Sequence, residues 1–91
     1  MRQIRNCKVG HFVKYKGVLC QVNCFFTGYI NGYRASQATL IQVGEPGERK
    51  RLFTPRTEEK VEYLGETATD EKGRFWVFRR QDPLEVWNDA H

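Results

Sequence analysis

Apolar and polar positions alternate over short runs, and turn-forming residues break those runs at close intervals. The breaks are Lys16-Gly17, Asn31-Gly32, Gly44-Glu45-Pro46-Gly47 and Lys72-Gly73. The runs between them are rich in Val, Ile, Phe, Tyr and Thr, the side chains that suit a pleated, half-buried surface. Residues 10–15 predict a first strand, with Val9, His11, Val13 and Tyr15 on one face and Phe12, Lys14 and Lys16 on the other. Residues 18–26 predict a second. Val18, Cys20, Val22, Cys24 and Phe26 form a wholly apolar face that should meet the core, with Leu19, Gln21, Asn23 and Phe25 opposite. Residues 27–36 read as an irregular, aromatic and basic stretch around a type I′ turn at Asn31-Gly32. Residues 38–43 and 49–54 read as the clearest hairpin in the chain.

Thr54-Pro55-Arg56-Thr57-Glu58-Glu59 has the makings of one helical turn, with Thr54 as cap and Pro55 at the first helical position. Residues 61–64 predict a short strand and residues 67–72 a polar loop. Residues 74–80 predict a further strand, with Phe75, Val77 and Arg79 on one face and Trp76, Phe78 and Arg80 on the other. Asp82-Pro83 can open a short terminal helix with Leu84 and Trp87 on its apolar side. The expectation is a mostly β fold. It comprises a five-stranded barrel-like core over residues 9–64 and an extension over residues 65–91 that adds a strand and a helix, all within one domain.

The order of strands from Val9 to Leu64 resembles the SH3-like barrel, and residues 9–22, Val-Gly-His-Phe-Val-Lys-Tyr-Lys-Gly-Val-Leu-Cys-Gln-Val, resemble the opening hairpin of Tudor-like and KOW-like domains. The amino-terminal domain of elongation factor P starts in a similar way. The resemblance implies a binding module for RNA, ribosomes or other proteins. The loop matching the modified-lysine tip of elongation factor P reads Tyr29-Ile30-Asn31-Gly32-Tyr33-Arg34 and holds no lysine, so that modification does not transfer.

Charge sharpens the picture. The net charge is +4, but residues 1–44 carry +6 with no acid and residues 45–91 carry −2. That polarity suggests one anion-attracting face. Basic and aromatic residues mix in three places: Lys14 and Lys16 around Tyr15; Tyr29, Tyr33 and Arg34; and Arg49-Lys50-Arg51. Cations that neutralise phosphate beside rings that stack on bases make these the candidate nucleic-acid site, for RNA or DNA. The alternative is a protein-interaction module, an adaptor, subunit or inhibitor, partnered by another protein or a second copy. Its candidate contacts are Trp76, Phe78, Leu84 and Trp87, since Trp, Tyr and Arg often anchor interfaces.

Other chemistry is weakly supported. Cys7-x3-His11 and Cys20-x3-Cys24 superficially make a four-ligand zinc set. On an extended strand, however, Cys20 and Cys24 would stand about 13 Å apart, too far to share an ion. No metal or other cofactor is therefore expected. No glycine-rich phosphate loop, nucleophile–base pair or carboxylate pair stands out, which points away from an enzyme. Three cysteines and a basic start without the apolar stretch of a secretory signal predict free thiols in the cytoplasm. No run approaches a membrane span.

Overall fold

The computed structural model describes residues 1–78. The expected terminal helix at Asp82-Pro83, the candidates Leu84 and Trp87, and the last two residues of the expected 74–80 strand lie outside the described residues.

The fold is mostly β and antiparallel throughout. Strand β1 (Arg2–Gln3) runs into one 3-10 turn at Ile4–Asn6. There follow β2 (Phe12–Tyr15), β3 (Val18–Ile30), β4 (Tyr33–Gln42), β5 (Leu52–Phe53), β6 (Lys60–Gly65), β7 (Thr67–Thr69) and β8 (Phe75–Val77). The main sheet has the order β1-β6-β2-β3-β4-β5, and β7 and β8 form a separate two-stranded ribbon. Hydrogen bonds continue past the short outer strands. Ala38 N–H donates to the Pro55 carbonyl, Thr57 N–H to Ser36, and Arg5 N–H to Thr57. Residues 55–57 thus link the outer edge of β4 to the segment after β1.

Two tight turns have the conformation their residues predict. Lys16 and Gly17 have φ of 50° and 79°, and Asn31 and Gly32 have 51° and 82°. Positive φ at both central residues is the type I′ pattern, and its twist matches that of paired strands.

Other elements depart from the pattern. The second hairpin is much longer than the sequence suggests: β3 and β4 pair continuously from Cys20↔Gln42 to Ile30↔Tyr33. The stretch expected to be irregular is therefore strand. The hairpin expected to be clearest is the shorter one, pairing only Leu40↔Phe53 and Ile41↔Leu52, so Arg49-Lys50-Arg51 lies in a loop. The expected helical turn shrinks to one bend closed by Glu59 N–H to the Arg56 carbonyl. Its physical rival is the sheet, which takes the Pro55 carbonyl and both backbone groups of Thr57 for interstrand bonds. Residues 67–69, expected in a loop, pair with β8 through Ala68↔Trp76.

The β2–β3 hairpin is buried on two sides. One face packs Val13, Tyr15, Cys20 and Val22 against Ile4, Ala38, Leu40 and Val61. The other packs Phe12 and Leu19 against Val43, Ala68 and Trp76. The carboxy-terminal ribbon therefore covers a sheet face.

Asp70 holds that ribbon together. Its Oδ1 accepts the backbone N–H groups of Lys72 and Arg74, both at 2.9 Å. Its Oδ2 accepts Arg74 Nε at 2.7 Å and the indole N–H of the fully buried Trp76 at 3.0 Å. Arg74 also reaches Glu48 at 3.0 Å, and Glu48 receives Lys72 Nζ at 2.7 Å. Burial raises the Asp70 pKa, but the bonds from Trp76 and Arg74 outweigh it and hold the carboxyl at about 2. The Lys72 bond, then the Glu45 amide and Arg74, hold Glu48 at about 2 as well. Both values lie below the ordinary 3.8 and 4.5. A depressed carboxylate pKa stabilises the fold above the ordinary value, and that stability is lost as pH falls through the folded value. The denaturant midpoint should accordingly stay level from neutral pH to about 5 and fall between about pH 4.5 and 2. Urea titrations across that window check this, and Asp70→Asn should flatten part of the fall.

Candidate interaction site on a projecting hairpin

The far half of the β3–β4 hairpin stands clear of the core. The described chain measures 41 × 25 × 24 Å, and a 13-residue strand spans about 43 Å at the usual rise per residue. Packing ends at a β-bulge. Val22 faces Leu40, the next pair is Cys24↔Thr39, and Asn23 is the extra residue between them. The bulge reverses the expected faces. Val18, Cys20 and Val22 point to the core as predicted, but Cys24 and Phe26 do not; both are exposed. Beyond the bulge Phe25, Thr27 and Tyr29 share the face of Ala38, Ser36 and Arg34, while Phe26, Gly28 and Ile30 share that of Gln37, Ala35 and Tyr33.

The arm is aromatic and nearly uncharged. Phe25 is 39% exposed, Phe26 52%, Tyr29 77% and Tyr33 76%. Arg34 is the one charged residue between Lys16 and Glu45. Tyr29 and Arg34 are direct cross-strand partners, and Tyr33 and Arg34 line a shallow recess with Ile30, Asn31, Ala35 and Arg56. Thr27 Oγ1 and Ser36 Oγ lie 3.0 Å apart. The Phe26 ring lies over Gly28, where a Cβ would stand 2.7 Å from Phe26 Cζ.

Among the described residues the arm also leaves a strand edge open. Val22 N–H donates to His11, and the Val22 carbonyl accepts Gly10 N–H, so the Val22 backbone points toward β2. Past the bulge the backbone of Cys24 turns to β4, which by alternation directs the N–H and C=O groups of Phe25, Thr27 and Tyr29 outward. Among the described residues, no strand pairs with that edge over residues 23–30.

The eight residues of the candidate nucleic-acid site do not converge. Tyr29, Tyr33 and Arg34 sit at the arm tip. Arg51 lies beside Gln42, eight residues and about 26 Å along β4 from Arg34. Lys16 stands over the Tyr15 ring at 5.3 Å and Arg51 over Phe53 at 4.9 Å, and these two rings meet edge to face at 5.2 Å. Tyr15 is buried and donates its hydroxyl to Glu59 at 3.1 Å, so its face packs the core. Lys14 is exposed on the opposite side of β2, in a recess with Leu19, Thr69, Asp70 and Glu71. Arg49 lines a recess with Glu48 and Asp70, and Lys50 lies within electrostatic reach of Glu48. Burial lowers the Lys50 pKa, with Glu48 opposing.

Of the candidate protein contacts within the described residues, Trp76 is fully buried, which removes it from the accessible surface. Phe78 is partly buried, with its ring 5.6 Å from that of His11. Of the two faces expected for the 74–80 strand, that of Trp76 turns inward and Phe75 faces out. Phe25, Phe26 and Ile30 are the arm residues that sequence reading missed. The available signal was the absence of charge across residues 17–33 around an Asn-Gly turn.

The cysteines are scattered. Cys7 and Cys20 are buried in the main core and Cys24 is exposed on the arm. Burial pushes Cys20 up to about 12 despite the nearby Arg51, which keeps the thiol protonated. Among the described residues no cluster of three or more His, Cys, Asp or Glu is placed to hold a metal ion, and no helix is long and apolar enough to cross a membrane. Comparison with protein-family models, curated proteins and solved structures finds no match to this chain.

Proposed function

We propose that this chain is a protein-interaction module that docks through the β3–β4 arm. The observation that carries the reading is the arm's surface: four exposed aromatic rings on strands that extend past the core and carry one cation, Arg34, with the neighbouring Arg56 held by Glu58. Exposed apolar area concentrated on one projection is a mark of a partner surface. Phosphate binding, by contrast, calls for several convergent cations. The body that carries the arm fits an SH3-like barrel, with residues 53–61 bridging its two ends, and such folds commonly serve as binding modules.

The test places a photo-crosslinking residue at Phe26, and as a control at Glu62 on β6, in the full chain expressed in its host. Protein adducts from position 26 and few from position 62 are expected. Nucleic-acid adducts at position 26, together with RNA affinity that falls steeply with salt and with Arg34→Ala, would overturn the reading in favour of nucleic-acid binding.

A further inference from the structure

We infer that the occupant of the arm is a second copy of this chain, paired antiparallel along the open edge of β3 with the two-fold axis at Thr27. The inference rests on the reading of the arm as a protein-docking surface. Three features of the edge support it.

The first is the backbone. Phe25, Thr27 and Tyr29 offer outward N–H and C=O groups in alternation, so an antiparallel copy can meet all three. Natural sheet edges usually carry lysine, proline or a cover that blocks such pairing. Residues 23–30 contain neither, and their one bulge lies at the base of the arm.

The second is side-chain complementarity in that register. A two-fold contact requires each surface to match itself. Pairing about Thr27 puts Phe25 opposite the second copy's Tyr29, an aromatic cross-strand pair. On the other face it puts Phe26 opposite the second copy's Gly28. Each Phe26 ring already lies over the Gly28 of its own strand, so in this register the two Phe26 rings come side by side across the axis with no Cβ at Gly28 to keep them apart. At the axis the Thr27–Ser36 hydroxyl contact extends into a row of four hydroxyls across the two copies.

The third is charge and area. Arg34 is the one cation within each arm's strands, the adjacent Arg56 being paired with Glu58, and the register holds the two Arg34 residues about 20 Å apart, beyond a physiological Debye length. The three aromatic residues of β3 itself, Phe25, Phe26 and Tyr29, expose on the order of 340 Å² per copy, at about 200 Å² for each whole side chain. Two copies therefore bring roughly 700 Å² of aromatic surface to the seam, the scale of a weak, reversible association, beside the backbone hydrogen bonds of the paired edges.

The experiment is sedimentation of the full chain from low-micromolar to submillimolar concentration. A mass rising toward twice 10.7 kDa is expected. Thr27→Pro removes an outward N–H while sparing the β3–β4 ladder, and should raise the dissociation constant at least about tenfold. Thr27→Lys and Thr27→Glu should each be monomeric, because like charges would face each other at the axis, and mixing the two should restore the dimer. Circular dichroism of each variant confirms folding. A chain monomeric at every concentration overturns self-pairing, as does a dimer indifferent to the Thr27 variants. In either case protein adducts from Phe26 would leave the docking reading standing, whereas nucleic-acid adducts there would remove both.

Discussion

Replacing Asp70 with alanine should lower the unfolding free energy by about 3 kcal/mol, and the thermal midpoint by on the order of 15 °C. No other described side chain in the β7–β8 ribbon gathers as many bonds. Asp70 takes two backbone N–H groups in the turn, the Arg74 guanidinium and the Trp76 indole. A hydrogen bond to a charged group is worth about 1.5–3 kcal/mol when buried, and less where water competes, as it does at Lys72. The largest share should come from Trp76, whose indole N–H would be left without an acceptor inside a fully buried ring. Trp76→Phe deletes only that bond and should cost about 1 kcal/mol beyond the change in ring size. The Asp70→Ala and Trp76→Phe effects should not add, because both remove the same contact. Equilibrium urea unfolding of the two single variants and of the double variant measures the coupling. An Asp70→Ala loss below about 1 kcal/mol would mean that packing alone seats the ribbon.

The Asp70 network shows where sequence reading ends. Asp70-Glu71-Lys72-Gly73 reads correctly as a turn. What it lacks is any sign that the turn exists to seat a tryptophan six residues on. That depends on Trp76 meeting Phe12, Leu19 and Val43, contacts made across most of the chain. The same long-range packing buries Leu19, which period-two alternation places opposite the core face; Gln21, on that same side, is buried with its amide on the Gly10 carbonyl. Alternation reports one buried face, and here the ribbon supplies a second.

The arm was hidden for the opposite reason. Its turn, Asn31-Gly32, was legible because type I′ geometry makes a local demand on φ. Its strands were not, because they bury little, so no in–out pattern marks them. The adjacent Phe25 and Phe26 look like a break in alternation; the bulge at Asn23 accounts for the apolar face losing the core after Val22. Charge polarity was legible as a count, but its location was not. Arg34 and Arg51 share strand β4 and its margin yet lie far apart, and Arg74 is occupied by Asp70 and Glu48.

Gly10→Ala should destabilise the fold by about 3 kcal/mol, for two separable reasons. Gly10 has φ of +91°, a conformation that costs other residues on the order of 1–2 kcal/mol. An added Cβ would also overlap the Phe78 ring at Cε1 and Cδ1, so the ring must leave its place against His11. Gly17→Ala separates the two effects. Its φ is +79° with nothing within 4 Å of the new methyl, so it carries the backbone strain alone, about 1 kcal/mol. The excess of Gly10→Ala over Gly17→Ala is then the cost of displacing Phe78. That excess should vanish in a Phe78→Ala background, where the methyl has room. The same site tests how the arm is anchored. Gly10 N–H binds the Val22 carbonyl, and the Gly10 carbonyl accepts Gln21 Nε2 at 2.7 Å, immediately before the bulge from which the arm departs. Hydrogen exchange at Gly10, whose amide is held by β3 there, should accelerate in Gly10→Ala more than exchange at Leu40 in the main core. Equal acceleration at both would mean that the substitution loosens the whole sheet, and that Gly10 does not act locally as the clamp at the root of the arm.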